Sequence, residues 1–286
     1  MNQICFLEMP KVIFVSYAND AMAYSLKRIG RQARKLGVFD EVILYTPNSL
    51  PKYVKESPLF PNSRGAGYWC WKPAIIYETL SNYDEGTIVV YVDAGCTLRQ
   101  SQEWNILIDK LAFFDSICFQ YEEYQPQWKK LGSSSSKLKY WTKKDTLEFL
   151  KQYTHNSDVG EICSLLGGCV FMKNKNNSLL QKWNDIIIHN PEVIEDPRPI
   201  ELSNQNSCFV CHRHDQSVLT ALAVHDTKTL ILPENIEQYQ RDSFIWASRI
   251  RAHNWKEYII IQTKHYLRIW LGDSLFERIK KIVLLK

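Results

Sequence analysis

The sequence predicts an α/β fold, and three observations predict it. An apolar run at 12–17, an amphipathic stretch at 20–35 and a second apolar run at 41–45 form a βαβ opening. From Thr87 to Val92 an almost unbroken apolar, β-branched run reads as a strand buried on both faces, and it ends on Asp93. The chain has 286 residues, 45% of them hydrophobic, which is enough apolar mass for one large core.

The elements follow in order. The first helix runs from Asp20 to Lys35 with Asp20 near its N-cap. Residues 46–63, rich in Pro, Asn and Ser, form a loop that delivers the chain to Arg64. Pro73 suits the first position of a helix over 74–81, which puts Lys72 at its mouth, where an ammonium and nearby amides attract phosphate. A helix over 103–112 and a strand over 116–121 come next. GSSSSK at 132–137 is the best candidate for a mobile loop. Asp145 caps a helix reaching about Tyr153, and 167–172 is a short strand leading to a helix over 178–189. Residues 190–208 form another loop, Asp215 starts a helix over 216–224, and 229–232 is a last short strand. The closing stretch mixes Leu267, Ile269, Trp270, Leu275, Ile279, Ile282 and Val283 with Lys and Arg. It divides the chain into 1–262 and a basic amphipathic helical segment, 263–286, that packs on the core or lies on an anionic membrane surface.

Composition excludes several functions. A net charge of +4 with scattered basic residues does not support nucleic-acid binding. No window reaches the roughly 18 apolar residues a membrane span needs. The opening residues lack a basic stretch followed by an apolar run, so no signal peptide is expected. Eight cysteines, several in apolar strands, read as small core residues in a reducing compartment. Cys208-Phe-Val-Cys211-His212 spells a haem-attachment pattern and, with His214, hints at zinc. Covalent haem needs export, and four ligands bunched so tightly close poorly around zinc, so a reduced pair is the better reading.

Asp93 is the first polar group after a buried strand, and a carboxylate buried there unpaired would be costly. Ala94 and Gly95 are small enough for a ligand to approach the backbone, at the carboxyl strand end where open α/β sheets place their sites. Arg64 and Lys72 supply charge for a phosphate, Arg64 in bidentate fashion. Trp69 and Trp71 alternate along the chain, which leaves one to face a ligand while the other packs inward.

Three segments carry a resemblance. They are VSYANDAMAYSLKRIGRQARKLGVFDEVILY at 15–45, RGAGYWCWKPAIIYETL with the later YVDAGC, and HRHDQSVLTAL at 212–222. The middle one is close to a Gly-Tyr-Trp-x-Trp-Lys-Pro and Tyr-x-Asp-Ala-Gly pattern, and the last to an Asp-Gln pair opening a late helix. On these motifs the chain resembles bacterial nucleotide-sugar glycosyltransferases of the GT-A fold, of the capsule and lipopolysaccharide type. The resemblance implies a Rossmann-like mixed sheet flanked by helices. It also implies hexosyl transfer from a nucleotide-sugar donor, with UDP the expected nucleotide, to a hydroxyl of a glycan or lipid-linked glycan, in the cytoplasm or at the inner face of the membrane.

Carried over, Arg64, Gly67, Tyr68, Trp71, Lys72, Tyr91, Asp93, Ala94, Gly95 and His214 bind the donor. Asp215 and Gln216 face the sugar, Asp215 either orienting hydroxyls or acting as acid or base. The resemblance implies a divalent cation, Mn²⁺ or Mg²⁺, on Asp93, with His212 or His214 completing the site or contacting the diphosphate. Gly95 stands where many such enzymes carry a second acid, which leaves Asp93 with the substrate phosphates and water as ligands. Gly167 and Gly168 correspond to the place where backbone approaches the acceptor. Glu161, Glu195 and Asp196 lie in the acceptor-side half. Two other functions remain open from sequence. A non-catalytic glycan-binding protein would use the Trp and Tyr residues as stacking platforms. A sugar-phosphate nucleotidyltransferase would need a Gly-rich, basic loop after the first strand, and Val15-Ser-Tyr-Ala-Asn19 lacks it.

Overall fold

The structure is a computed structural model and describes residues 10–61, 64–240 and 242–272. A six-stranded sheet forms its centre, from β1 (Val12–Tyr17), β2 (Glu41–Tyr45), β3 (Ile88–Val92), β5 (Ser116–Gln120), β6 (Cys169–Lys173) and β7 (Thr229–Pro233). A two-stranded ribbon pairs β4 (Thr97–Leu98) with β8 (Ile245–Trp246). The large sheet has the order β2-β1-β3-β6-β5-β7, and all its strands are parallel except β6, which runs against both neighbours. The fold is therefore α/β, a mixed sheet flanked by helices.

Period-two alternation sorts the strand side chains between two cores. Ile13, Val15, Val89 and Tyr91 face the helices Trp71–Ser81, Ser178–His189 and Asp215–Ala223. Val12, Phe14, Ile88, Val90 and Val92 face the helices Ala23–Leu36 and Glu103–Lys110. Every residue of β1 and β3 is buried, as expected for central strands covered on both faces, whereas the edge strands β2 and β7 are mostly half-buried.

The reversed strand β6 positions the site. Its antiparallel pairing sets Cys169 beside Val92, so Gly167 and Gly168 arrive at the carboxyl end of β3. The β4–β8 ribbon brings a second segment there, because Ile250 N–H donates to the Gly95 carbonyl at 2.9 Å.

Several boundaries differ from the sequence reading. Asp20 is no cap: it opens a short 3-10 turn, Asp20–Met22, that follows Asn19 and leads into the Ala23–Leu36 helix. The helix expected over 74–81 begins at Trp71, before Pro73, because the N–H that proline lacks belongs to a first turn that has no intrahelical acceptors. Asp145 likewise sits inside the first turn of Lys144–Thr154, where its charge suits the helix dipole. GSSSSK is not a loose loop. Ser135 and Ser136 are buried, the Trp141 indole donates to the Ser135 carbonyl at 2.8 Å, and Ser164 Oγ donates to the Ser136 carbonyl at 2.7 Å. Small hydroxyl side chains let this backbone pass under two tryptophans, Trp128 and Trp141, whose rings lie 5.6 Å apart. Two longer loops are anchored too, at 46–61 by buried Leu50, Val54 and Leu59 and at 190–208 by buried Val193 and Ile194.

Seven described cysteines are free thiols, four of them buried. At the C-terminal end a helix spans Trp255–Leu271, across position 263, with none of its residues buried. Residues 273–286 of the basic segment lie outside the described residues.

Phe14 tests the two-core account, since it is fully buried with its ring 5.2 Å from Phe39. Phe14→Ala is expected to lower unfolding free energy by about 3–5 kcal/mol in denaturant titration. A loss under about 1 kcal/mol would contradict that packing.

Candidate functional site

Asp93 leaves the buried strand β3 with a side chain that is 41% exposed. Tyr91, two residues back on the same face, donates its hydroxyl to Asp93 Oδ1 at 2.5 Å. The main chain of the turn is held on every side. Asp93 N–H donates to Gly168 O at 2.9 Å, and Cys96 N–H closes the turn on Asp93 O at 2.9 Å. A Cβ on Gly168 would lie 2.9 Å from Asp93 Oδ2, so any larger residue there would displace the carboxylate.

From the opposite side the first helix contributes Arg28, which is 4% exposed. Its guanidinium donates to Ala94 O at 3.0 Å, Cys96 O at 2.6 Å and Thr97 Oγ1 at 3.0 Å. Burial pushes the Arg28 pKa down, and carbonyl oxygens rather than a carboxylate receive its charge. Gly95 O is also engaged, by Ile250 N–H at 2.9 Å and Ser248 Oγ at 3.0 Å.

Lys72 enters from the first turn of its helix and is 3% exposed. Its ammonium donates to Gly167 O at 2.9 Å, lies 3.0 Å from Asp215 Oδ2 and 4.0 Å from Asp93 Oδ1, and stands 5.5 Å from the Tyr91 ring centre. The contact with Asp215 is an ion pair between two buried groups. Burial drives the Lys72 pKa down, yet Asp215 and Asp93 more than offset it and the net direction is up. Burial raises Asp215 to about 6, against the opposing pull of Lys72 and helped by Asp93. The proton therefore sits on the lysine, between two carboxylates. Gln216, next on the helix, packs against the Gly167 position, where a Cβ would meet its Cβ at 3.3 Å.

A second group stands on the loop before Lys72. Gly65, Ala66, Gly67, Tyr68 and Trp69 all have positive φ, between 52° and 94°, and so form one left-handed turn. Tyr68 N–H donates to Arg64 O at 2.8 Å within it. Each non-glycine residue held this way costs about 1–2 kcal/mol, so the surroundings must impose the turn. Trp71 does so in part, donating its indole N–H to Gly65 O at 2.9 Å while its ring sits 4.0 Å from Tyr17. Gly65 is required because a Cβ there would lie 2.5 Å from the Trp69 ring.

The turn presents Trp69 and Tyr68 to His214, with ring centres 5.4 and 5.0 Å away. His214 itself has φ 52° and ψ −125° just before its helix. Its Nδ1 pairs with Ile194 O at 2.7 Å, and its buried Nε2, without a hydrogen bond, is 3.8 Å from Asp196 Oδ1. Burial lowers its pKa to about 4, so the ring is neutral. Asp196 in turn meets Arg64 at 3.3 Å.

The structure thus gathers Lys72, Tyr91, Asp93, Ala94, Gly95, Asp215 and Gln216 around the end of β3, and Arg64, Tyr68, Trp69, His214 and Asp196 on the neighbouring rim. Trp71 is 4% exposed and packs in the core. His212 has both ring nitrogens engaged, by Val193 O at 2.9 Å and by Lys143 N–H at 3.4 Å, so it offers nothing to haem, zinc or a substrate. Glu161 lies on the surface with Lys139 and Lys137.

Sequence reasoning missed Arg28 and Arg249. Arg249 adopts φ 52° with its Cα 3.5 Å from a Cβ placed on Gly95, and Glu237 grips its guanidinium at 2.6 Å. Glu237 is oriented by the Tyr121 hydroxyl at 2.8 Å. Arg28 falls within the 15–45 segment without standing out in it and Arg249 lies outside all three segments, so only the approach of distant segments reveals them.

The donor set does not suit a divalent cation. Among the described residues no three His, Cys, Asp or Glu side chains cluster as metal ligands. Asp93 already carries the Tyr91 hydroxyl, and the Lys72 ammonium lies between it and Asp215. Cavities of about 150 and 230 Å³ open elsewhere, lined by residues such as Leu179 and His225 or Tyr53 and Ile187, and neither includes Asp93 or Asp215.

No protein-family model matches the chain, and no curated protein matches it either. Solved structures give distant likenesses. Mouse xyloside xylosyltransferase 1 in its apo form aligns over 78% of this chain and 84% of its own at 11% identity and TM-score 0.38. The galactosyltransferase LgtC with donor and acceptor sugar analogs aligns over 77% and 72% at 13% identity and TM-score 0.36. A glycosyltransferase involved in glycosylation of the major capsid of PBCV-1 aligns over 78% and 82% at 8% identity and TM-score 0.38. Scores this low carry no inference about chemistry.

The Lys72–Asp215 pair has a pH signature. Lys72→Met strands Asp215 as a buried carboxylate, and above pH 7 the expected stability loss is about 3–5 kcal/mol. Asp215 is held above its unfolded value, so the native state takes up its proton first as pH falls through about 6. The difference between variant and parent should therefore shrink toward pH 4. Denaturant titrations at pH 5 and 7.5 check this, and a pH-independent loss would contradict the pairing.

Proposed function

We propose that this chain is a nucleotide-sugar glycosyltransferase that moves a hexosyl group from a UDP-linked donor to a hydroxyl of a surface glycan or lipid-linked glycan. The observation that carries the reading is the junction at the end of β3. There a partly exposed carboxylate, Asp93, stands before a buried ion pair, Lys72 and Asp215, with glycine at 168 keeping the space beside it open. A single open carboxylate backed by fixed charge suits hydrogen bonding to the hydroxyls of a sugar or ribose. The motifs around Gly67, Lys72, Asp93 and Asp215 support the same class.

In this reading Asp93 and Asp215 orient donor hydroxyls, and Gln216 adds its amide beside the anomeric carbon. Lys72 is a positioning residue for both carboxylates. Arg64, paired with Asp196, and Arg249, paired with Glu237, are the cations that in this reading turn to the diphosphate as it leaves. Tyr68 and Trp69, backed by His214, offer an aromatic wall for the base or a sugar ring. Ala94 and Gly95 let the donor lie close to the backbone. Catalysis comes mainly from holding donor and acceptor in line and keeping water out.

The acceptor places the protein at the inner face of a membrane. No described helix is long and apolar enough to cross one. The Trp255–Leu271 helix instead exposes Ile259, Ile260, Leu267 and Trp270 beside Lys256, Lys264 and Arg268, a combination suited to lying on an anionic surface with the basic residues that follow.

Calorimetric titration with nucleoside diphosphates and UDP sugars tests the assignment. A uridine donor is expected to bind with micromolar affinity, and Asp93→Ala is expected to weaken it by about 1.5–3 kcal/mol, on the order of tenfold to 100-fold, while the variant melts like the parent. Absence of binding by any nucleotide or nucleotide sugar would overturn the proposal in favour of a glycan-binding protein.

A further inference from the structure

The centre between Asp93 and Asp215 already holds a cation, and that cation belongs to the protein. Resting on the transferase reading above, we infer that the Lys72 ammonium occupies the place a divalent ion would take, and that this enzyme transfers its sugar without a metal. Three observations carry the inference. First, Lys72 Nζ is 3.0 Å from Asp215 Oδ2 and 4.0 Å from Asp93 Oδ1, so one fixed positive charge serves both carboxylates. Second, Gly167 O binds the same ammonium at 2.9 Å, and the lysine is 3% exposed, so it cannot swing aside without abandoning every polar partner it has.

Third, few oxygens remain open to a metal. Tyr91 holds Asp93 Oδ1, and Gly95, where a second acid would chelate, offers only a carbonyl that already accepts from Ile250 and Ser248. A hard dication needs six or so oxygen ligands, and here it would meet one free carboxylate oxygen beside an ammonium that repels it. The transfer itself balances without a metal. The bond from the anomeric carbon to the diphosphate oxygen breaks, its electron pair leaves with the diphosphate, the acceptor oxygen bonds to the carbon, and the acceptor proton passes to solvent or a base. The leaving charge is then met by protein cations, Arg249 and Arg64 exchanging their Glu237 and Asp196 partners for the diphosphate.

Manganese binding followed by electron paramagnetic resonance tests this independently of turnover. Wild-type protein, alone and with UDP, is expected to leave the free Mn²⁺ signal as it is in matched protein-free samples. Lys72→Ala, which vacates the ammonium position between two acids, is expected to take up about one Mn²⁺ ion, lost again when Asp93→Asn is added. Lys72→Met, which fills the space the ammonium leaves, serves as the non-binding control, and circular dichroism at neutral pH verifies that each variant is folded. Donor turnover by the wild type is expected to be unchanged in EDTA. Stoichiometric Mn²⁺ uptake by the wild type that disappears in Asp93→Asn, or turnover abolished by EDTA and restored by Mn²⁺, would overturn the inference. A protein that binds no nucleotide yet shows the predicted Mn²⁺ pattern would sink the transferase reading and leave the lysine assignment standing.

Discussion

A lysine buried between two carboxylates sets the conditions for everything around it. Taking the Lys72 ammonium out of water is tolerable only because Asp215, Asp93 and the Gly167 carbonyl all meet it. Each of those partners must then be delivered with little freedom. The helix opening at Trp71 supplies the lysine, the helix opening at Asp215 supplies one acid, and β3 supplies the other. The reversed strand β6 brings in the carbonyl, so the one antiparallel strand inside the sheet is what lets Gly167 reach the lysine.

The same logic extends outward. Arg28 pins the carbonyls of the turn after β3 from below, and the 248–250 segment pins Gly95 from the side. On the other rim a run of left-handed residues is kept in place by Trp71 and by the stacking of Trp69 on His214. Strain concentrated in that run, and again at His214 and Arg249, marks segments whose shape is imposed by the site rather than chosen by local preference.

Much of the fold was legible because it follows from period. The largely apolar run of β1, broken only by Ser16, and the five apolar residues of β3 announce central strands without any partner in view, and the amphipathic stretch between β1 and β2 announces the crossover helix. Asp93 was legible as the first polar residue after buried strand. What sequence could not supply is contact across distance. Lys72 reads as a surface cation at a helix mouth until the fold closes Gly167 and Asp215 over it. Arg28 sits on an amphipathic helix where a charged residue reads as solvent-facing. Tyr68 and Trp69 are poor candidates for left-handed backbone, so propensity pointed away from the turn they form. GSSSSK misled for the opposite reason, since composition suggested a loop while its hydroxyls and carbonyls fit a packed turn.

A crystal structure of the protein with a UDP sugar bound tests the central claim most directly, that the end of β3 is the donor site built on an internal lysine. The account predicts donor hydroxyls within hydrogen-bonding reach of Asp93, the diphosphate met by Arg64 and Arg249, and Lys72 still bridging Asp93 and Asp215. A donor bound elsewhere on the molecule, or a Lys72 side chain displaced to admit a metal ion between the two carboxylates, would contradict it.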